Sequence, residues 1–353
     1  MVKLSTLVIK KLMKKIKSVA TMQDVAKKAR VSLKTVSRVI NKEPNVSTKT
    51  IEKVQNVIDA IDYQPNSFAQ TLARGKTKII GLLYDTPSPN YISHIMEGVL
   101  SQCYKSDYEV IIHPCRFNEL TLLRDVELLI KRTRLSGVIT TPPLSDIEDL
   151  INLFKELNIP RVLISPGSEE VDEPSVKTND REASRQMTNY LISKGHRRIA
   201  FIKGHPSHLS VNDRAKGFFD SLNQANIVCP NELIESGLNT YQSGMDCAKR
   251  LLSLKDIPTA IFAANDEMAA GVIKVAYQNN LKIPDDLSVV GFDDTPMTRM
   301  ISPPLSTIKQ PLGLMGEESA KNLINQLEGG SEERYATMNS TLIIRDSVSE
   351  IAT

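Results

Sequence analysis

TMQDVAKKARVSLKTVSRVINKEPNVSTKTIEKVQNVIDAIDYQPNSFAQTLARG, residues 21–75, carries the strongest structural signal in this 353-residue chain. Thr21 and Asp24 stand three apart, the spacing of a capping box, and predict a short helix over Met22–Ala29. Ser32 caps a second helix running to about Asn41. Ser47 caps a third over Thr48–Ile61, with Ile51, Val54, Val57, Ile58 and Ile61 as its apolar face. Two short helices joined by a tight turn, then a longer one, make a helix-turn-helix plan. Val25, Ala26, Val36, Val39 and Ile40 would close its core. Leu33, Lys34, Ser37, Arg38 and Asn41 would then face outward. Such side chains reach phosphates and base edges. Spacing alone also permits a small helical bundle with a solvated cationic face.

Charge sharpens this. Residues 1–78 hold 17 Lys/Arg against 5 Asp/Glu, a net of +12, and the remainder holds 27 against 36, a net of −9. A basic head on an acidic body suggests a polyanion partner for the head. Residues 1–20 include six lysines that interrupt any apolar run. No signal peptide is expected there, and the arm is expected to be disordered. No stretch reaches the length of a membrane span. Four scattered cysteines (Cys103, Cys115, Cys229, Cys247) fit a reduced, cytoplasmic setting.

The order of residues in this head resembles the DNA-binding head of the LacI/GalR family of bacterial regulators. The matching positions are Asp24-Val25-Ala26, Val31-Ser32, Thr35 to Asn41, Val46-Ser47, Thr50, Val54, Tyr63, Pro65, Asn66, Ala69 and Leu72. The resemblance implies DNA contacts from Thr21, Leu33, Lys34, Thr35, Ser37, Arg38, Asn41 and Ser47. It makes residues 65–77 a hinge helix, with Asn66, Ala69 and Leu72 at the minor groove and Leu72 as a wedge between base steps. The family has Gly in the turn where this chain has Arg30. If the turn needs positive φ, Arg30 costs about 1 kcal/mol there.

From residue 78 short apolar runs alternate with amphipathic stretches. The runs are 79–84, 109–113, 137–140, 161–164, 198–203, 259–263 and 287–292. This predicts an α/β core of doubly wound parallel sheets in two lobes. The family markers RRIAFI (197–202), AIFAANDEMAAG (260–271), IPDDLSVVGFDD (283–294) and PPLSTIKQ (303–310) extend the resemblance over about residues 21–346. It implies a small all-α head (21–64), then a two-lobed, periplasmic-binding-protein-like core (78–353) for effector binding and dimerisation. Lobe one takes about 79–177 plus 311–339, and lobe two about 178–308 plus 340–353.

By the same resemblance Arg214, Asn265 and Asp293 make polar contacts to an effector, and Tyr241 stacks on it. Tyr84, Asp85, Ser88 and Tyr91 line the opposite wall. Amide, carboxylate and guanidinium forks beside an aromatic face suit a sugar. Other constellations are weak. His205 and His208 lack a third metal ligand, and a loop at the cleft edge that touches the ligand is expected there instead. Ser165-Pro-Gly167 is no nucleophile elbow, and no phosphate loop is present. No cofactor, metal or enzymatic activity is expected. The expected function is a ligand-controlled repressor of carbohydrate-metabolism genes, acting as a cytoplasmic homodimer on near-palindromic operator DNA. A regulator answering to a purine, a nucleoside or a partner protein is one alternative. A sugar-binding uptake protein is another. No heptad tail follows residue 347, so a tetramer is not expected.

Overall fold

The computed structural model describes residues 20–40, 43–44, 46–63, 77–85, 88–167, 172–330 and 334–351. The expected arm and hinge therefore fall outside the described residues, apart from Ala20 and Thr77. So do Asn41, Asn66, Ala69 and Leu72. The chain forms two compact units, residues 1–77 and 78–353.

In the first unit α1 (Met22–Ala29), α2 (Leu33–Ile40) and α3 (Thr48–Ile61) pack together. Thr21 closes the capping box: the Asp24 amide donates to Thr21 Oγ1 (3.3 Å), and the Thr21 amide donates to Asp24 Oδ2 (2.9 Å). Ser32 accepts the Thr35 amide (3.1 Å). Val25, Ala26, Ala29, Val36, Val39, Val54 and Tyr63 form the core. Two expectations are corrected. Ser47 precedes α3 but makes no side-chain cap; its hydroxyl bonds Thr50 Oγ1 instead (2.8 Å). Ile51 points outward, 42% exposed, because three helices this short cannot cover a five-residue apolar face.

Arg30 ends α1 with φ 50° and ψ 49°. The turn thus holds an L-residue in the left-handed region, where a Cβ costs about 1 kcal/mol and Gly does not. Arg30→Gly is expected to stabilise the head by about that amount. In a unit this small the gain should raise its midpoint by roughly 4–8 °C. Thermal unfolding of the full chain, followed at the head transition, would show it.

The second unit is built from two parallel sheets. The first has the order β11-β5-β4-β3-β1-β2, with β1 Ile79–Tyr84, β2 Glu109–Pro114, β3 Gly137–Thr140, β4 Arg161–Ile164, β5 Ser175–Thr178 and β11 Tyr335–Met338. The second is β7-β6-β8-β9, with β6 Ile199–Lys203, β7 Ile234–Ser236, β8 Ala260–Ala263 and β9 Ser288–Val290. An antiparallel pair, β10 (Thr307–Lys309) and β12 (Thr341–Ile343), accompanies the second. Helices α4 (Pro89–Lys105), α5 (Leu122–Thr133), α6 (Glu148–Glu156) and α11 (Leu312–Glu328) belong to the first lobe. Helices α7 (Asp180–Ser193), α8 (Val211–Gln224), α9 (Tyr241–Leu252) and α10 (Asp266–Gln278) belong to the second.

Helices cover both faces of each sheet because parallel strands need crossovers. In lobe two the ring of Phe201 stacks on Phe218 (4.8 Å) and meets Phe262 edge-on (5.1 Å). In lobe one α4 and α11 touch backbone to backbone. A Cβ on Gly98 would sit 1.9 Å from Gly313 O, and one on Gly316 would sit 2.2 Å from Ile95 O. Lobe one is therefore completed by α11 and β11, which come from the far end of the chain.

Candidate functional site

The C-terminal ends of both sheets point at one another, the usual place for a ligand in open α/β folds. A small pocket of about 40 Å³ lies between them. From lobe one come Ser88 and Tyr91 after β1, Pro142 after β3 and Ser165 after β4. Lobe two supplies His208, Ser210 and Arg214 after β6, Asn239 after β7 and Asn265 after β8. Gln310 enters from the segment after β10. Backbone strain gathers here: Ser165 (φ 46°), Asn239 (φ 58°) and Asp293 (φ 118°) all have positive φ.

Arg214, on the first turn of α8, organises the lobe-two wall. Its Nε donates to Asp180 Oδ2 (2.8 Å) and its Nη1 to the Ala264 carbonyl (2.5 Å). Asp293 Oδ1 lies 3.7 Å from Nη1, and the guanidinium covers the Phe292 ring at 3.8 Å. Gln310 Nε2 donates to the same Asp293 oxygen (2.6 Å). One buried cation is thus shared by two buried carboxylates, so the wall presents no free positive charge. Asn265 caps α10: its Oδ1 accepts the Met268 amide (3.0 Å). Its Nδ2 donates to Asn239 O and to Glu267 Oε2 (both 3.0 Å).

Burial tunes the titrating groups. It pushes the Asp293 carboxyl up to about 7, with Glu267 and Asp180 adding to the rise and Arg214 and Gln310 opposing it. It pushes the His208 imidazole down to about 4, helped by His205 and Arg214. It also raises the Tyr91 phenol, which shares a hydrogen bond with Ser165 and stays protonated. The first two shifts have opposite linkage. Asp293 binds its proton more tightly when folded, so its contribution is lost as pH rises through about 7. His208 binds its proton less tightly, so its contribution is lost as pH falls through about 4. Denaturant unfolding of Asp293→Asn and the parent at pH 5 and pH 8 should show their stability difference shifting toward the variant at the higher pH.

Of the expected effector residues, Ser88, Tyr91, Arg214 and Asn265 line the pocket, and Asp293 stands behind Arg214. The others are not brought to it. Tyr84 packs partly buried against the first sheet's core, and Asp85 accepts the Phe117 amide (2.8 Å). Tyr241 opens α9 and is 42% exposed; Asn239, two residues earlier, lines the pocket instead. Sequence reasoning does not single out Asn239, Gln310 or the Asp180 partner of Arg214. His208 lies in the His205–His208 segment expected as a loop at the cleft edge, and it lines the pocket. Among the described residues no three His, Cys, Asp or Glu are placed to hold a metal.

On the head, Thr21, Leu33, Lys34, Arg38 and Ser47 are exposed, while Thr35 and Ser37 are half-buried. Arg38 Nε approaches Glu43 Oε2 at 3.7 Å, an exposed pair of little strength. The outer face of α2 therefore carries Leu33, Lys34 and Arg38 toward solvent.

A helix-turn-helix head and a two-lobed core with a polar cleft define a DNA-binding regulator with a ligand-binding body. Residues 21–66 match the bacterial regulatory proteins of the lacI family, and residues 188–348 match the periplasmic binding protein-like domain. The chain is 32% identical to the HTH-type transcriptional repressor PurR of Mannheimia succiniciproducens, over 94% of this chain and 100% of that one. It is also 32% identical to a probable HTH-type transcriptional repressor, ExuR, of Bacillus subtilis, over 94% and 99%. Among solved structures it resembles the lac repressor dimer bound to operator and the anti-inducer ONPF, with TM-score 0.82 and 29% identity over 94% and 99% of the two chains. The complex of the regulator CelR with cellobiose gives TM-score 0.72 and 28% identity over 93% and 99%. The chain belongs to the lacI family of bacterial transcriptional regulators. Among the described residues no helix is long and apolar enough to cross a membrane.

Proposed function

We propose that this regulator represses carbohydrate-metabolism genes in the cytoplasm. It does so as a homodimer on a near-palindromic operator, under control of a neutral sugar held between the lobes. The observation that carries the sugar is the charge balance of the cleft: Arg214 is matched by Asp180 at 2.8 Å and Asp293 at 3.7 Å, among amides and hydroxyls. A neutral polyol can use such donors and acceptors without adding charge to the buried cluster. The operator-bound and ligand-bound relatives support the two halves of this reading. In it, Leu33, Lys34, Ser37, Arg38 and Asn41 read the major groove, with Thr21, Thr35 and Ser47 on the backbone. Asn66, Ala69 and Leu72 meet the minor groove.

A thermal-shift screen of the full chain against neutral sugars and purine bases tests the effector. A ligand at 100 times its dissociation constant adds about 2.7 kcal/mol. Stabilisation by one or more neutral sugars is expected. Stabilisation by purines alone would replace the sugar reading.

A further inference from the structure

The two lobes are joined across the cleft by a contact between Ser88, which lines the pocket, and Glu267, which is not among its lining residues. Ser88 is the N-cap of α4 in lobe one, where its hydroxyl oxygen accepts the Tyr91 amide (3.4 Å). The same hydroxyl donates across the cleft to Glu267 Oε1 (2.5 Å). Glu267 lies in the first turn of α10 in lobe two. Its other oxygen, Oε2, accepts from Asn265, the N-cap of α10 and a wall of the cavity. Two long helices therefore present their N-termini to each other with a single carboxylate bonded to the N-cap of each.

Each N-terminus carries roughly half a positive charge from its unpaired amides. Brought together bare, the two ends repel. A carboxylate between them converts that repulsion into attraction for both. We propose that Glu267 is a positioning residue that latches the lobes together, and that Asn265 ties this latch to whatever occupies the cavity. An effector that pulls on Asn265 acts on the Glu267 carboxylate, and through it on the N-terminus of α4. The link to an effector rests on the proposed sugar site; the latch itself does not.

The test is hydrogen–deuterium exchange on the full chain without added ligand, comparing the parent with Glu267→Gln, Ser88→Ala and Ser88→Thr. Glu267→Gln keeps the size of the side chain and removes its charge. It should quicken exchange about tenfold at residues 91–95, in the opposite lobe. Ser88→Ala should do the same at residues 268–272, again across the cleft. A lost helix cap would loosen only its own helix, so the crossed readout separates a latch from a cap. Ser88→Thr keeps the hydroxyl and should restore parental exchange in lobe two. Unchanged exchange in the opposite lobe for Glu267→Gln or Ser88→Ala overturns the proposal, as does failure of Ser88→Thr to restore it. No sugar enters the measurement, so its outcome is independent of the effector screen.

Discussion

Arg214→Ala is expected to destabilise the two-lobed unit by about 3–5 kcal/mol, the usual cost of leaving a buried partner charge unpaired. The arginine is 7% exposed and holds Asp180, the Ala264 carbonyl and the neighbourhood of Asp293. Its removal strands two carboxylates in a buried wall. The loss should be larger at pH 8 than at pH 5. At the lower pH, Asp293, already raised by burial, takes a proton and its unpaired charge disappears. Arg214→Lys keeps the charge but not the planar fork, and should fall between the two. Denaturant titrations at both pH values check the magnitude and its sign. A loss below about 1 kcal/mol, the range of an exposed ion pair, or one that grows on acidification, would contradict charge sharing in this wall.

The second large effect belongs to the head. Arg38→Ala should weaken binding to an operator selected with the parent protein by about 1–3 kcal/mol for each recognition helix engaged, and relax the base preference at the contacted position. In a dimer both helices lose the contact. Stability should barely change, since Arg38 is exposed and its ion pair with Glu43 is long, at 3.7 Å. Gel-shift titrations with equal melting temperatures for the two proteins would separate recognition from folding. Undiminished affinity would remove α2 as the reading element. Salt gives an independent check. Operator affinity should fall steeply with ionic strength, while effector affinity should barely move. Deleting residues 1–20, with their six lysines, should reduce the salt slope without changing the preferred sequence.

Much of the fold is legible in the sequence because its signals are local. The capping box at Thr21 and the apolar runs of β1, β3 and β4 give the boundaries that the structure shows. Strands β5, β7 and β11 escape such a reading. Ser175–Thr178, Ile234–Ser236 and Tyr335–Met338 are short and mix polar with apolar residues. Two of them, β7 and β11, are sheet edges, where one side needs no apolar cover. The site is half legible for a related reason. Arg214 and Asn265 stand in recognisable runs of sequence. Asp180 lies 34 residues from Arg214, and no local pattern announces that pairing. Tyr241 offers a ring suited to stacking, but the helix that starts there turns it to solvent, and the strained Asn239 before the Thr240 cap faces the cavity. Arg30 shows the reverse case, since a single substitution in a turn forecasts a left-handed residue that the structure contains.

The order in which the pieces leave the ribosome follows from how lobe one is completed. The head is finished by Tyr63, while the sheet of lobe one waits for Tyr335–Met338 and the helix that packs against Gly98. At about 5–20 residues per second, translation leaves an interval on the order of tens of seconds in which the head exists without a complete body. A nascent chain would then be able to touch DNA before it can answer a ligand. Control by the effector waits until Tyr335–Met338 has been made, the strand that closes the lobe that the first strand began.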